Sequence, residues 1–480
     1  MRKLKVDYKY IEYITVALLS MVFLTIPIMH YICLRNGWPN DYLAYSIYGL
    51  AIIDIVFMAI VLLLFSNIKF KWGIYEWIFT VLIILEIFSV INSVDVYTSI
   101  WGTAGRNEGI LMLLSYYTFF YLARFLKSDK SKYLLVNIFL GIGVVHCIYG
   151  LCQYFKLFEN IVFSVSYGGS GIKGVTGNPN FMGTLVVMLG GLSAGLFYYS
   201  DKLWKKLIYL VLLGLFLVTM LLTKTMSGYF GVAMMVLVFF GYLTITRKKH
   251  IQFTAKYFSS FNILLVTVIV GIIGLFSINK LMKGYIFQEL TNIYNELSHI
   301  ITTGEIEESF GTYRFGIWKN TLQLVPHYLL SGVGVDALAM PFYYNFGLIN
   351  DTIIDKTHNE CLQILITMGL PALVTYLTYY FFVGKDVLVR LVEIVNQDRK
   401  WNGEPLYVGL GLVLIGYLCQ AFFNISVIDV APFFWVLLGL MSESMIEVQK
   451  RIEMVNNQKK YIRLPNGQVI EVMGTVKKNY

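Results

Sequence analysis

Ala51-Ile52-Ile53-Asp54-Ile55-Val56-Phe57-Met58-Ala59-Ile60-Val61-Leu62-Leu63-Leu64-Phe65 is the middle of an apolar run from about 42 to 66, broken by one carboxylate. A run of roughly 20 apolar residues is long enough to cross the hydrocarbon of a bilayer as a helix. Eleven more runs stand at about 11–33, 73–92, 110–127, 133–155, 180–199, 207–223, 228–246, 260–279, 358–383, 404–423 and 427–446. The 480 residues are 57% hydrophobic and 14% charged, with a mean hydropathy of +0.65, which excludes an ordinary soluble domain. The expected fold class is an all-α integral membrane protein of about 12 transmembrane helices.

Lys and Arg placement gives the expected orientation. With the N-terminus cytoplasmic, 28 of the 38 basic residues fall in cytoplasmic segments, and both termini lie inside. The net charge of +9 is then mostly topological bias, and no basic patch with interleaved aromatics points to nucleic acid. The first apolar stretch is too long for a cleaved signal and lacks a small-residue cleavage site, so it reads as an uncleaved first helix. Cys33, Cys147, Cys152, Cys361 and Cys419 have no metal-ligand spacing and read as small core residues. No internal repeat is visible.

The expected organisation is a membrane domain over 1–446 and a cytoplasmic tail over 447–480, where Tyr461–Val472 alternates around Pro465-Asn466-Gly467 as in a small hairpin. The long connection is extracytoplasmic, at about 280–357. A connection of that length carries function or its own helices. Phe287, Leu290, Ile293, Leu297 and Ile301 recur at helical spacing, which suggests an amphipathic helix on the membrane surface. Thr312–Leu324 is a second helical stretch, with Arg314 and Trp318 on one face. Ser331-Gly332-Val333-Gly334-Val335-Asp336 reads as a turn or a close backbone approach.

Polar outliers gather on the expected outer side. Arg106, Lys173, Lys224, Arg314, Lys356 and His358 all stand there, where topological bias disfavours positive charge. Cations in that position suit an anionic ligand such as a phosphate or pyrophosphate. Each has a plainer reading: a solvated Arg106 or Lys173, a Glu108 that pairs with Arg106, or a Thr357 or Asn359 that caps the following helix beside His358. His299 and His327 read as ordinary packing residues. Asp351 and Asp355 are four apart, weak evidence for a metal site.

The motifs together resemble the O-antigen ligase and O-antigen polymerase superfamily of bacterial membrane glycosyltransferases. The pieces are Gly105-Arg106-Asn107-Glu108-Gly109, Gly177-Asn178-Pro179-Asn180-Phe181-Met182-Gly183, Tyr313-Arg314-Phe315-Gly316-Ile317-Trp318, Leu330-Ser331-Gly332-Val333-Gly334, Thr357-His358-Asn359-Glu360-Cys361-Leu362-Gln363 and Phe423-Asn424-Ile425-Ser426. The resemblance implies a metal-independent, cofactor-free transferase in the cytoplasmic membrane with an extracytoplasmic active face. Its donor would be a glycan on a polyprenyl-pyrophosphate carrier, and its acceptor a hydroxyl of a glycan, lipid or protein. His358 would be catalytic, and Arg314 would bind the donor pyrophosphate with Lys224, Lys173, Arg106 and Lys356 in support. Glu108, Asn178, Trp318, Thr357 and Asn359 would hold the site. One departure stands out: Met226 occupies the position of a family Arg, leaving Lys224 as the candidate second cation, and Lys does not reproduce a bidentate Arg. Ligase and repeat-unit polymerase both fit this pattern. A flippase or transporter of lipid-linked sugars is an alternative that rests on Asp54 and Glu86 inside spans, and a non-catalytic scaffold is a third.

Overall fold

The computed structural model describes residues 7–65, 72–163, 171–200, 202–253, 276, 279–280, 284–305, 307, 309–396, 403–463 and 469–473. Among the described residues the regular structure is helical apart from one antiparallel strand pair near the end. The long helices are α1 (Tyr8–Asn36), α2 (Asp41–Leu64), α3 (Ile74–Ile91), a short α4 (Val96–Trp101), α5 (Ile110–Ala123), α6 (Asp129–Phe155), α7 (Pro179–Tyr199), α8 (Leu203–Thr223) and α9 (Met226–Phe253). The long connection carries α10 (Tyr285–Thr303), α11 (Arg314–Leu324) and α12 (Ala339–Phe346). Then follow α13 (Glu360–Asn396), α14 (Glu404–Ala421), α15 (Ala431–Gln458) and the antiparallel pair β1 (Lys459–Arg463) and β2 (Val469–Met473).

Nine helices among the described residues are long and apolar enough to cross a membrane, and α5 and the Met226–Tyr242 part of α9 are shorter apolar helices. The expected span at 260–279 lies almost entirely outside the described residues, as does the turn Pro465-Asn466-Gly467. The last helix runs to Gln458, past the expected tail boundary at 447.

Two kinds of apolar surface follow from these helices. α7, α14 and α15 form the centre: Leu189, Leu192, Val436 and Leu440 are fully buried, and Tyr417 stacks on Phe434 at 3.6 Å. α2 instead leaves Ile52, Ile53, Val56 and Leu63 open, as a helix facing lipid does. Small residues allow the closest approach, for a Cβ on Gly195 would meet the Gly409 backbone of α14. At the end of the bundle away from α10–α12, Arg124 pairs with Glu76 at 2.5 Å and Lys132 with Glu447 at 3.1 Å. Those two cations are buried, not merely solvated markers of topology. Cys33 and Cys147 are buried, and all five cysteines are free thiols.

One element departs from the sequence pattern. The run expected at 358–383 is broken at Gly369, whose φ of 85° and ψ of 172° interrupt α13 two residues before Pro371. The freed carbonyls of Ile366 and Thr367 accept from Val333 N (2.8 Å) and Gly334 N (3.0 Å), while Leu370 N donates to Leu329 O (2.7 Å). A broken helix survives in a membrane only where such groups find protein partners. Gly332, at φ 72°, has no room for a Cβ beside the Thr367 carbonyl. The glycine motif is therefore a close backbone approach that ties the long connection to α13.

Candidate functional site

The segment before α13 is fixed from every side. Trp318 on α11 donates Nε1–H to the Thr357 carbonyl at 2.8 Å. Thr357 N donates to Gln363 Oε1 (2.9 Å), and Thr357 Oγ1 to the Asn359 carbonyl (2.8 Å). Asn359 Oδ1 accepts from Leu362 N at 2.9 Å, so the capping role belongs to Asn359. That leaves the His358 ring uninvolved in the cap. His358 itself has φ 53°, the left-handed region, which costs a non-glycine residue about 1–2 kcal/mol. Gly311, Thr312 and Tyr313, which lead into Arg314, are left-handed too, at φ 58°, 57° and 66°. Such conformations persist where neighbours over-determine them, and they cluster at functional sites.

Charge surrounds this segment. Arg106 forks onto Asp355, with Nε at 2.8 Å and Nη2 at 3.4 Å. Lys356 Nζ lies 2.5 Å from Asp336 Oδ1, and the two residues are 4% and 2% exposed. The other Asp336 oxygen accepts from Thr103 N at 2.7 Å. Glu108 accepts from Tyr116 OH at 2.8 Å; it does not pair with Arg106. Burial pushes the Glu108 carboxyl up to about 8, against the pull of Lys356. Burial, followed by the charges of Arg314 and Arg106, lowers His358 to about 4, so its imidazole is neutral at physiological pH. Arg314 is lowered from its usual value by burial. One of its terminal nitrogens reaches Gly311 O (3.2 Å) and Thr312 Oγ1 (2.5 Å), while buried Nε has no protein partner among the described residues.

Lys173 and Lys224 form a second group. Ile172 N donates to Leu222 O at 3.0 Å, and Gln153 Oε1 accepts from Lys173 N (3.1 Å) and Gly174 N (2.9 Å). This seats the 171–178 loop against the end of α8. Lys224 ends α8 with φ 56° and lies 4.4 Å from the centre of the Tyr285 ring. Asn178 caps α7 through Asn180 N at 2.8 Å. On α9, Phe230 meets Phe423 at 5.4 Å, and Phe423 stacks on Trp318 at 6.1 Å.

The structure thus brings Arg106, Lys356, His358, Arg314, Trp318, Thr357 and Asn359 together. It gives Arg106 and Lys356 internal carboxylate partners. Asp336, Asp355 and Tyr116 complete the network and went unread in the sequence as partners. Behind the 171–178 loop lies a buried pair that composition does not reveal: His30 Nδ1 sits 2.8 Å from Asp429 Oδ1, and His30 Nε2 fills the space where Gly177 lacks a Cβ. Asp355 serves Arg106, and no group of three or more His, Cys, Asp or Glu that could hold a metal stands among the described residues.

A comparison with curated proteins finds no match. The stretch from α8 into α13 carries Lys224, Arg314 and His358, while Arg106 lies outside it. Residues 211–377, about a third of the chain, match the O-antigen ligase (Wzy_C) family model, and this match supports the resemblance to the O-antigen ligase superfamily.

Proposed function

We propose that the protein is a glycosyltransferase that moves a glycan from a polyprenyl-pyrophosphate carrier to an acceptor hydroxyl at the extracytoplasmic face of the cytoplasmic membrane. Arg314 binds the donor pyrophosphate, with Lys224 and Lys173 as the flanking cations. The acceptor oxygen attacks the anomeric carbon as the sugar–phosphate bond breaks. The bonding pair leaves with the carrier pyrophosphate, whose growing charge is stabilised by fixed cations. The acceptor proton passes to His358.

The observation that carries this reading is a neutral His358 within the electrostatic reach of a buried Arg314 whose Nε has no protein partner among the described residues. A free imidazole at about 4 is a weak base. Burial depresses it first and the Arg314 and Arg106 charges second; the donor's phosphates offset those charges, so donor binding makes His358 more basic. Metal independence is part of the proposal. Arg106 and Lys356 hold the 355–358 segment in position and leave donor binding to Arg314.

The test is release of carrier pyrophosphate by purified protein in lipid, with a polyprenyl-pyrophosphate oligosaccharide, candidate acceptors and EDTA. A product ladder identifies a polymerase, and one discrete transfer a ligase. Transport of lipid-linked sugars is a second reading, kept by buried Asp54 and by Glu86, which bonds Tyr117 inside the bundle. Flipping without pyrophosphate release would select it.

A further inference from the structure

Helix α10 has two unlike faces. On one, Glu296 Oε2 accepts from Gly311 N at 3.2 Å, and His299 lies edge-on to Phe310 at 5.5 Å and 3.8 Å from Glu307. These contacts hold the left-handed turn Gly311-Thr312-Tyr313 that leads into Arg314. On the other face Phe287, Ile293, Tyr294, Leu297 and Ile301 stand open to the surroundings, with Tyr294 70%, Leu297 51% and Ile301 82% exposed. At the pitch of an α-helix these five span an arc of roughly 120°.

Three observations say what covers that arc. It is wider than the two-position seam of a coiled coil, so a partner helix would leave part of it bare. It begins at the level where a membrane span ends: Tyr285 lies over Lys224, the residue that terminates α8, and Phe287 meets Phe276 at 5.3 Å. No Lys or Arg occurs between Tyr285 and Thr303, so attraction to anionic headgroups does not drive the contact. Burial of apolar side chains does, and a zwitterionic leaflet suffices.

We propose that α10 lies in the headgroup region of the leaflet at this end of the bundle, with Phe287, Ile293, Tyr294, Leu297 and Ile301 in the lipid, and that its Glu296–His299 face thereby sets the position of Arg314. The helix is a membrane-seated strap for the arginine turn. The seating stands independently of whether Arg314 binds pyrophosphate.

The test uses the full chain in phosphatidylcholine nanodiscs with a bilayer-confined carbene photolabel, mapped by mass spectrometry. Adducts are expected on Ile293, Tyr294, Leu297 and Ile301, with none on Asn292 or Asn295. An unlabelled apolar face overturns the proposal, including the case in which a second copy covers it and mass photometry shows a dimer. Hydrogen exchange tests the second half. In L297E/I301E, exchange at 309–316 is expected to rise about tenfold while 360–368 stays as in the native protein. Unchanged exchange at 309–316 removes the link to Arg314.

Discussion

Trp318 and Thr357 are joined by an indole N–H to carbonyl hydrogen bond of 2.8 Å. Through it the helix that begins at Arg314 and the segment that carries His358 are coupled, 39 residues apart in the chain. A net hydrogen bond of this kind contributes about 1 kcal/mol. Trp318→Phe keeps most of the ring contact with Phe423 and loses the bond. We expect turnover to fall by about 5-fold, the kinetic equivalent of that bond, with the protein still folded. Steady-state release of carrier pyrophosphate measures it.

Under the proposed mechanism the acid limb of the pH–rate profile reports His358. An ordinary histidine would give a limb near 6.5. Burial and the Arg314 and Arg106 charges place this one near 4, so kcat/KM should stay flat from pH 7 down to about 5. Stability moves in the matching direction. The unfolded chain takes up the His358 proton first, so stability is lost as pH falls from about 6.5 toward 4 and is full above that window. His358→Gln should flatten this part of the thermal stability profile. Inorganic pyrophosphate should raise the His358 value, read by ring-carbon NMR.

Arg106 and Asp355 give a double-mutant cycle. If the fork only positions the segment, R106Q and D355N each lower kcat and leave donor KM nearly unchanged, and the double variant is little worse than either. The coupling should be about 0.5–3 kcal/mol in thermal stability, as for other groups in one network. If Arg106 binds donor phosphate, R106Q raises donor KM while D355N lowers it.

Lys356 and Asp336 are buried together, so removing one strands the other. K356M should destabilise by about 3–5 kcal/mol, and K356M/D336N should recover most of it. Chemical unfolding in detergent, followed by Trp fluorescence, distinguishes the two.

The spans were legible because apolar runs such as 42–66 and 404–423 need no partner to be recognised. The candidate site offered local signals in its pieces: Arg314, His358, Trp318 and the glycine motif stand out along the sequence. Their partners did not. Arg106 meets Asp355 across 249 positions and Lys356 meets Asp336 across α12, and charge alone does not say which cation is already engaged. The pairing of His30 with Asp429 had no local signal, because Asp429 lies far along the chain. The break at Gly369 carried a signal, Gly369-Leu370-Pro371, but the surrounding hydropathy masked it.

The most direct test of the central claim compares native protein, His358→Ala and Arg314→Ala in lipid with a polyprenyl-pyrophosphate oligosaccharide and an acceptor. The account predicts acceptor-dependent pyrophosphate release by the native protein. It predicts a 10²–10⁴-fold loss for His358→Ala, on the order of a general base's contribution, and a raised donor KM for Arg314→Ala. Full release by His358→Ala would contradict it.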